Sequence, residues 1–208
     1  VSLIARPMPV ELAREAFALY MEYPGAMSVF CDGRTYRDTV AMERFARRNA
    51  RRGSTEARQP NDGRFTVVRD LTEWMSRHAH EVEKFCMFFD TAEQAQAALP
   101  RFRALAGAEV VQGSPDNIEL TAQGVDKGTA LLALADLLHI PREATLAVGD
   151  SENDRAMLEK AGIAAVMANG MPHIQALADL VSANDCDHDG AAHAIEKYMP
   201  RARIADVG

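Results

Sequence analysis

The feature that most constrains the fold is an alternation of short apolar runs and helical segments that begins after Gly124. Ala144–Val148 is a continuous apolar run, which is typical of a strand buried on both faces of a parallel sheet. Lys127–His139 before it predicts a helix that is apolar nearly all round and covered on both sides, and Asn153–Ala161 after it predicts another helix. Strand–helix alternation at this spacing predicts an α/β fold with a parallel sheet.

The first 122 residues predict a separate region of mixed helices and strands. Asp32-Gly33 lies between two strand-like segments, and this pair suits the positive φ angles of a two-residue hairpin turn. Lys84–Phe89 predicts an apolar strand, and residues 53–63 predict a polar loop. We expect Trp74 to belong to the core of this region rather than to a sugar-binding platform. We place a domain boundary near residue 122, which gives domains of residues 1–122 and 123–208.

Composition and charge exclude several classes of protein. The 208 residues carry 23 Lys and Arg against 30 Asp and Glu, a net charge of −7, whereas nucleic-acid-binding domains usually carry a basic surplus. The basic cluster from Arg44 to Arg52 has helical spacing and predicts a solvated helix face and loop. No stretch approaches the ~20 apolar residues of a membrane span. Three widely spaced cysteines, Cys31, Cys86 and Cys186, do not form a disulfide framework, so we expect a cytoplasmic protein. From the charge and the lack of an apolar span we expect neither a nucleic-acid nor a membrane partner.

An acidic loop follows the apolar run of the second region. Asp150 comes directly after the predicted strand, and Asn153 and Asp154 lie at the start of the next helix. Ligands of open parallel sheets bind at the carboxyl ends of the strands, and carboxylates there can hold Mg²⁺. Capping of the helix by Asp150 and Asp154 accounts for the same spacing equally well. The spacing alone leaves both interpretations open.

A lysine marks the start of the apolar helix. Lys127 lies at the helix N-terminus, where a positive charge costs a few tenths of a kcal/mol, on the order of 0.3. An anion bound at this point would remove that cost, because the ammonium and the helix amides would act on it together. An ordinary surface lysine is the competing interpretation, although the chain has only four lysines against nineteen arginines.

Four segments occur in an order that resembles one enzyme family. They are Gly124–Gly128, Gly149–Asp154, Val166–Gly170 and Asn184–Gly190. Together they resemble the C-terminal half of Cof-type phosphatases of the haloacid dehalogenase superfamily, and the preceding region resembles the large cap of that family. The resemblance implies a Rossmann-like core with a mixed α/β cap. It also implies Mg²⁺-dependent hydrolysis of a small phosphomonoester, such as a sugar phosphate, with the cap closing over the site to select the substrate.

The resemblance also implies a role for individual residues of this chain. Lys127 would neutralise charge on the phosphate and the nucleophile, and Asp150 would ligate Mg²⁺. Asp154 would support the metal, while Asn153 would contact the phosphate or the substrate. Asn169, at the end of the next predicted strand, is a further candidate for binding substrate. These assignments make Lys127 and Asp150 the predicted catalytic residues, and Asp150 and Asp154 the predicted metal residues.

One element of the family pattern is missing from the sequence. The family's nucleophile lies in an Asp-x-Asp-Gly-Thr motif at the end of an apolar strand, and its closest imitation here is Val29–Thr35, with Phe30 in the nucleophile's place. We interpret this run as a cap hairpin. We therefore expect the phospho-aspartyl intermediate that the family implies to form on an aspartate outside the sequence, which begins at Val1 and has the character of a fragment. The alternative is a non-catalytic fragment, or a degenerate relative, that only binds phosphorylated ligands.

Two further expectations concern the second region. Loss of a central strand beside Ala144–Val148 would expose an apolar edge, so we expect aggregation or a homo-oligomer. Asp185–Glu196 satisfies the spacing of a calcium-binding EF-hand loop. That motif requires a helix before the loop, whereas Leu180–Ala183 reads as the end of a strand. We therefore interpret this segment as an acidic turn before the last helix and not as a calcium site.

Overall fold

The structure, a computed structural model, describes residues 4–51 and 65–198. The helices of these residues are α1 (Val10–Met21), α2 (Thr39–Arg51), α3 (Leu71–His78), α4 (Ala92–Arg103), α5 (Lys127–Leu137), α6 (Arg155–Lys160), α7 (Pro172–Gln175) and α8 (Gly190–Tyr198). The strands are β1 (Gly25–Cys31), β2 (Arg34–Asp38), β3 (Thr66–Val68), β4 (Val82–Phe89), β5 (Ala108–Val111), β6 (Asn117–Ala122), β7 (Leu146–Gly149), β8 (Ile163–Val166) and β9 (Leu180–Val181). The α/β fold class predicted from the sequence is confirmed. The predicted polar loop at 53–63, together with Arg52, lies outside the described residues.

The chain divides into two compact units, residues 1–125 and residues 126–208. The first unit is built on a mixed six-stranded sheet in the order β3-β2-β1-β4-β6-β5, in which only β2 and β3 are parallel. A continuous apolar core includes residues of α1, α3 and α4 together with residues of the sheet. Its largest fully buried side chains include Tyr20, Phe85, Phe89 and Phe102. Burial of each such side chain contributes roughly 1.5–3 kcal/mol, so this core dominates the stability of the unit.

The hairpin between β1 and β2 forms as its turn residues predict. Asp32 and Gly33 both have positive φ angles, 48° and 68°, and Cys31 pairs with Arg34 across the turn. Positive φ at both central residues is the geometry that matches the twist of two antiparallel strands. Phe30 therefore lies within a hairpin ladder, paired with Thr35, and the interpretation of Val29–Thr35 as a hairpin is confirmed.

A stack of rings lies beside this hairpin. The indole of Trp74 stacks on the phenol of Tyr36 and on the imidazole of His78, each with a centroid separation of 4.6 Å. Trp74 is also one of the partly buried side chains that pack against the core of the first unit. Its rings are thus engaged by protein groups, as expected for a core residue.

The second unit contains a parallel three-stranded sheet in the order β7-β8-β9. A small core of buried alanines, Leu158, Val166 and Ile174 lies around this sheet, and α5 packs against α6. β7 begins at Leu146, two residues later than predicted, because Arg142–Ala144 forms a short 3-10 turn that ends in a hydrogen bond from Thr145 N to Arg142 O. Parallel strands with helices between them are the predicted architecture of this region.

One expectation for α5 is wrong within the described residues. Its apolar surface predicts a helix covered on both sides, yet Leu134 and Leu137 are 47% and 49% exposed. Leu138, directly after the helix, is 56% exposed. An apolar sequence around the whole helix therefore did not predict burial on all sides. Among the described residues, one side of α5 faces solvent. Within the described residues, no helix is long and apolar enough to traverse a bilayer.

Candidate active site

The candidate site lies at the carboxyl end of β7, where Gly149 ends the strand and a short loop leads to α6. A Cβ atom at position 149 would lie 2.7 Å from the carboxylate carbon of Asp154, so only glycine allows that carboxylate to approach the strand end. The sequence predicts a helix from Asn153, but residues 152–154 form a 3-10 turn and α6 starts only at Arg155. The turn folds the Asp154 side chain back over the strand end.

Asp154 is the most completely engaged carboxylate of this loop. Its Oδ2 accepts hydrogen bonds from the backbone N–H groups of Asp150, at 3.0 Å, and Ser151, at 3.4 Å. Its Oδ1 accepts one from Lys127 Nζ at 2.6 Å. Asp154 is only 6% exposed, and a buried charge must be paired and hydrogen-bonded to be tolerated. Asp154 thus holds the loop and the lysine together.

Lys127 reaches this carboxylate from the first turn of α5. Asp126 caps the helix by accepting a hydrogen bond from Thr129 N at 2.7 Å, and Lys127 follows it directly. The Lys127 side chain is 48% exposed although its ammonium contacts Asp154. An ammonium that contacts one carboxylate and still borders solvent can accept an additional anionic partner. The structure therefore brings Lys127 and Asp154 into direct contact.

Asp150 occupies the position between strand and loop and is half-buried. Burial raises the pKa of Asp150, the negative charge of Asp154 raises it further, and the positive charge of Lys127 opposes both. Two carboxylates in each other's field are the arrangement that a divalent cation relieves. The Asp150 carbonyl also accepts a hydrogen bond from Met171 N at 3.0 Å, which joins this loop to the segment after β8.

The two predicted asparagines have different partners. Asn153 lies in the acidic loop, half-buried, and its Oδ1 accepts a hydrogen bond from Ser151 Oγ at 2.9 Å. Asn169 is exposed and bonds to Cys186, donating to Sγ at 3.4 Å and accepting from Cys186 N at 3.1 Å. Asn169 thus ties the loop after β8 to the turn before α8. The lysine and the aspartates form one cluster, whereas the asparagines are engaged by other neighbours.

The acidic turn before α8 is held together by its own residues. Asp185 Oδ1 accepts from Asp187 N at 3.0 Å and lies 2.6 Å from His188 Nδ1. The element before this turn is β9, as the sequence predicts, and not the helix that an EF-hand needs. The turn is therefore a connection between β9 and α8.

Sequence reasoning overlooked two groups of residues around the site. Glu152 binds Arg155 through two hydrogen bonds, of 2.7 and 3.2 Å, and lies 2.8 Å from His173 Nε2 of α7. Lys160, at the end of α6, binds the carboxylate of Asp126. The i,i+3 spacing of Glu152 and Arg155 was a visible signal. His173 contacts Glu152, more than twenty positions away, and Lys160 contacts Asp126, 34 positions away. No local sequence pattern indicates either contact.

The side chains at the strand end are suited to a hard cation. Asp150 and Asp154 offer carboxylate oxygens, which Mg²⁺ prefers, and Mg²⁺ is usually held by one or two carboxylates with the remainder of its shell from water and substrate phosphate. Within residues 4–51 and 65–198, no group of three or more histidine, cysteine, aspartate or glutamate side chains is placed to hold a metal ion. The aspartates therefore fit part of a Mg²⁺ shell and not a closed protein cage.

Comparisons with known proteins address the family of the chain. A family model of haloacid dehalogenase-like hydrolases matches residues 2–195. The phosphatase YwpJ of Bacillus subtilis is 38% identical over 107 residues, which are 51% of this chain and 37% of that protein. The 5-amino-6-(5-phospho-D-ribitylamino)uracil phosphatase YcsE of the same organism is 32% identical over 120 residues, 58% of this chain and 48% of that protein. These matches span less than half the length of either curated relative.

A solved structure extends the comparison to the fold. A haloacid dehalogenase-like hydrolase from B. subtilis superimposes with a TM-score of 0.73 at 24% identity, covering 94% of this chain and 72% of that one. At this identity the likeness concerns the fold alone. The family match, in contrast, spans nearly the whole sequence, both units included. The chain therefore belongs to the haloacid dehalogenase-like hydrolases, in their Cof-type branch.

Proposed function

We propose that this chain carries the cation-binding and phosphate-binding part of a Mg²⁺-dependent phosphatase that hydrolyses a small phosphomonoester. The observation that carries the proposal is the contact of the Lys127 ammonium with the Asp154 carboxylate at the end of β7, beside Asp150, whose pKa is shifted by the charges of both residues. Phosphoryl transfer depends mainly on positioning and on stabilisation of charge, and a lysine beside a carboxylate pair supplies both when a cation is bound. Family membership and the phosphatase names of the relatives support the same conclusion.

In this proposal each residue of the cluster has a distinct task. Asp150 contributes its carboxylate to the Mg²⁺ shell, and the bound ion would neutralise charge on the phosphoryl oxygens. Asp154 keeps the loop closed through the Asp150 and Ser151 amides and orients Lys127, so it acts on the metal indirectly. Lys127 offers its solvent-facing side to the phosphate and compensates its negative charge. Asn153 is our candidate for contact with the phosphate or substrate.

The attacking group is not assigned to a residue of this chain. The family's mechanism proceeds through a phospho-aspartyl intermediate, and the sequence contains no strand that ends in Asp-x-Asp-Gly-Thr. Phe30, in the closest imitation, is paired within the β1–β2 hairpin and carries no nucleophilic atom. We therefore propose that the nucleophile belongs to the complete protein outside these 208 residues.

Substrate selection is proposed for the first unit. By family resemblance we interpret residues 1–122 as a cap and residues 123–208 as the C-terminal part of a Rossmann-like core. The name of the Bacillus relative YcsE describes a phosphorylated ribityl compound as its substrate, which favours a phosphorylated sugar or sugar-like metabolite here. Asn169, at the surface of the loop after β8, is our second candidate for substrate contact.

The location of the protein belongs to the same proposal. Cys31, Cys86 and Cys186 are all free thiols, which favours a reducing compartment such as the cytoplasm. A small phosphorylated metabolite would be the partner of the site, and neither nucleic acid nor membrane is needed for it.

A second candidate function follows from the missing nucleophile motif: the chain would bind phosphorylated ligands without hydrolysing them. Two measurements separate the candidates, namely hydrolysis of p-nitrophenyl phosphate with Mg²⁺ and calorimetric binding of inorganic phosphate with Mg²⁺. Hydrolysis by a longer protein that contains this chain, abolished by Asp150→Asn, supports the phosphatase, whereas hydrolysis by these 208 residues alone would contradict a nucleophile outside them. Binding without hydrolysis in that longer protein, weakened in Asp150→Asn, supports the ligand-binding alternative.

Asp136→Asn is the matched control for this experiment, because Asp136 is an exposed aspartate of α5 in the same unit. It removes one negative charge without touching the cluster, so we expect the behaviour of the parent chain. Equal losses in Asp136→Asn and Asp150→Asn would mean that net charge, and not the cluster, governs binding. Absence of both binding and hydrolysis, in this chain and in a longer protein containing it, would reject both functions.

A further inference from the structure

Lys160, at the last position of α6, holds the residue that precedes Lys127. Its Nζ donates hydrogen bonds to both carboxylate oxygens of Asp126, at 3.1 Å and 2.8 Å. Both side chains are largely buried, with 34% of Lys160 and 18% of Asp126 exposed. Such charge-assisted, two-pronged contacts are shorter and stronger than neutral hydrogen bonds. They fix the position of the Asp126 carboxylate.

The same carboxylate begins α5. Asp126 Oδ1 accepts from Thr129 N at 2.7 Å, which is the N-cap of the helix whose first residue is Lys127. Burial alone would raise the pKa of Asp126, but the hydrogen bonds from Lys160 and from the Thr129 amide outweigh it and hold that pKa below its usual value. Asp126 is therefore a charged cap with two partners, one in its own helix and one in α6.

The residue after Lys127 is held by the same side chain. A Cβ atom at Gly128 would lie 2.7 Å from Lys160 Cδ and well inside van der Waals contact of the Ala156 carbonyl oxygen. The stem of Lys160 thus crosses Gly128 closely before its ammonium reaches Asp126. Lys160 contacts the neighbours of Lys127 on both sides, at positions 126 and 128.

The two lysines and two aspartates form a reciprocal pattern between neighbouring segments. Lys127 of α5 binds Asp154, which directly precedes α6, and Lys160 of α6 binds Asp126, which directly precedes α5. Lys160 therefore fixes the carboxylate that begins α5, one residue before Lys127.

We propose that Lys160 is a positioning residue that directs the Lys127 ammonium towards Asp154 and towards an incoming phosphate. The inference rests on the proposed function as far as phosphate is concerned, whereas the placement of Lys127 can be measured without it. Lys160 does not touch the phosphate; it acts through Asp126 and through the first turn of α5. A purely structural lysine would affect thermal stability and leave the Lys127 ammonium where it is.

The test uses NMR of lysine side chains labelled with ¹³C at Cε. The chain has four lysines, so each signal can be assigned by substitution. In Lys160→Met we expect the Lys127 signal to shift before any ligand is added. In a titration with inorganic phosphate and Mg²⁺ we expect its apparent Kd to rise about tenfold, which corresponds to the loss of one strong charge-assisted contact.

Three further variants make the test specific. Asp126→Asn should shift the Lys127 signal as well, because asparagine retains the cap but gives up the ionic pair with Lys160. Lys160→Arg should return phosphate affinity to within about threefold of the parent, since a guanidinium can also bind a carboxylate through two hydrogen bonds. Lys197→Met removes a lysine of α8 and should change neither reading.

The outcomes distinguish the inference from the proposed function. An unchanged Lys127 signal in folded Lys160→Met and Asp126→Asn overturns the inference, and if Lys160→Met does not fold, Asp126→Asn decides alone. If the Lys127 signal shifts in the variants while the parent chain binds no phosphate, the result upholds the positioning role and counts against the phosphate site. A shifted signal with unchanged phosphate affinity overturns the claim that Lys160 directs Lys127 towards phosphate.

Discussion

Replacement of Gly128 by alanine should disrupt the junction of α5 and α6. The new methyl group would meet the Ala156 carbonyl oxygen well inside contact distance and Lys160 Cδ at 2.7 Å. The lysine stem can turn aside, but a backbone carbonyl in a helix cannot. Because carbon and oxygen atoms normally approach to about 3.5 Å, the two helices would have to separate by more than ~1 Å at this point.

The expected cost follows from the contacts that this separation weakens. Overpacking of a close junction costs about 1–3 kcal/mol. The two ion pairs that bridge the junction, Lys127–Asp154 at 2.6 Å and Lys160–Asp126 at 2.8 Å, would lengthen together. Each involves a partly exposed lysine and contributes roughly 0.5 kcal/mol. Alanine's better helix propensity returns at most about 1 kcal/mol, so we expect a net destabilisation of ~2 kcal/mol.

Urea unfolding followed by far-ultraviolet circular dichroism measures this cost. With a urea dependence of ~2 kcal/mol per molar, the midpoint of the second unit should fall by ~1 M. Hydrogen exchange followed by mass spectrometry should locate the loss of protection in α5 and α6. An unchanged or higher midpoint for Gly128→Ala would refute the close approach on which this reasoning rests.

Gly124→Ala is the matched control, four residues earlier. Gly124 has a φ of 76°, and among the described residues no atom lies within 4 Å of the position that an alanine methyl would take. Alanine there is strained only through its left-handed backbone, by about 1 kcal/mol. It should leave exchange in α5 and α6 unchanged. Loss of protection in those helices after both substitutions would show that any alanine in this segment has the same effect.

The remaining predictions concern the thiols and the edge of the second sheet. Burial raises the pKa values of Cys31 and Cys86 to about 12, whereas Cys186 is exposed. Ellman's reagent at neutral pH should therefore react rapidly with Cys186 and with the other two thiols only after unfolding. Rapid reaction of all three thiols would contradict this. Within the described residues β7 pairs only with β8. The carbonyls of Thr145, just before β7, and of Gly149 face β8, so the backbone N–H and C=O of Val148 face the free edge. We expect concentration-dependent association of the 208-residue chain in sedimentation velocity, reduced by Val148→Pro; a monomer at every concentration would refute it.

The sequence predicted those elements whose cause is local. Asp32-Gly33 specifies its turn by backbone chemistry alone, and the strand-like segments on either side of it form β1 and β2. The start of β7 was misplaced because Ala144 is as apolar as the strand that follows it, and only the 3-10 turn before Thr145 excludes it from the sheet. The short strand β3 was not predicted, because its three residues pair with β2 through long-range contacts and carry little pattern of their own.

The candidate site was predictable in its residue types and not in its connections. The position of Asp150 after an apolar strand, and of Lys127 at a helix start, indicated that both lie near strand and helix ends. That Lys127 binds Asp154 directly, 27 residues away, depends on the packing of two helices. The role of Lys160 was invisible for the same reason, since a lysine at a helix end is ordinary until its partner is known.

The ring stack on Trp74 gives the protein a built-in optical probe of one half of the chain. Trp74 is the sole tryptophan and belongs to the first unit, so its emission follows the separation of that stack. Denaturation recorded in parallel by fluorescence and by a whole-chain signal would therefore reveal whether the two halves melt together or in succession, without any label.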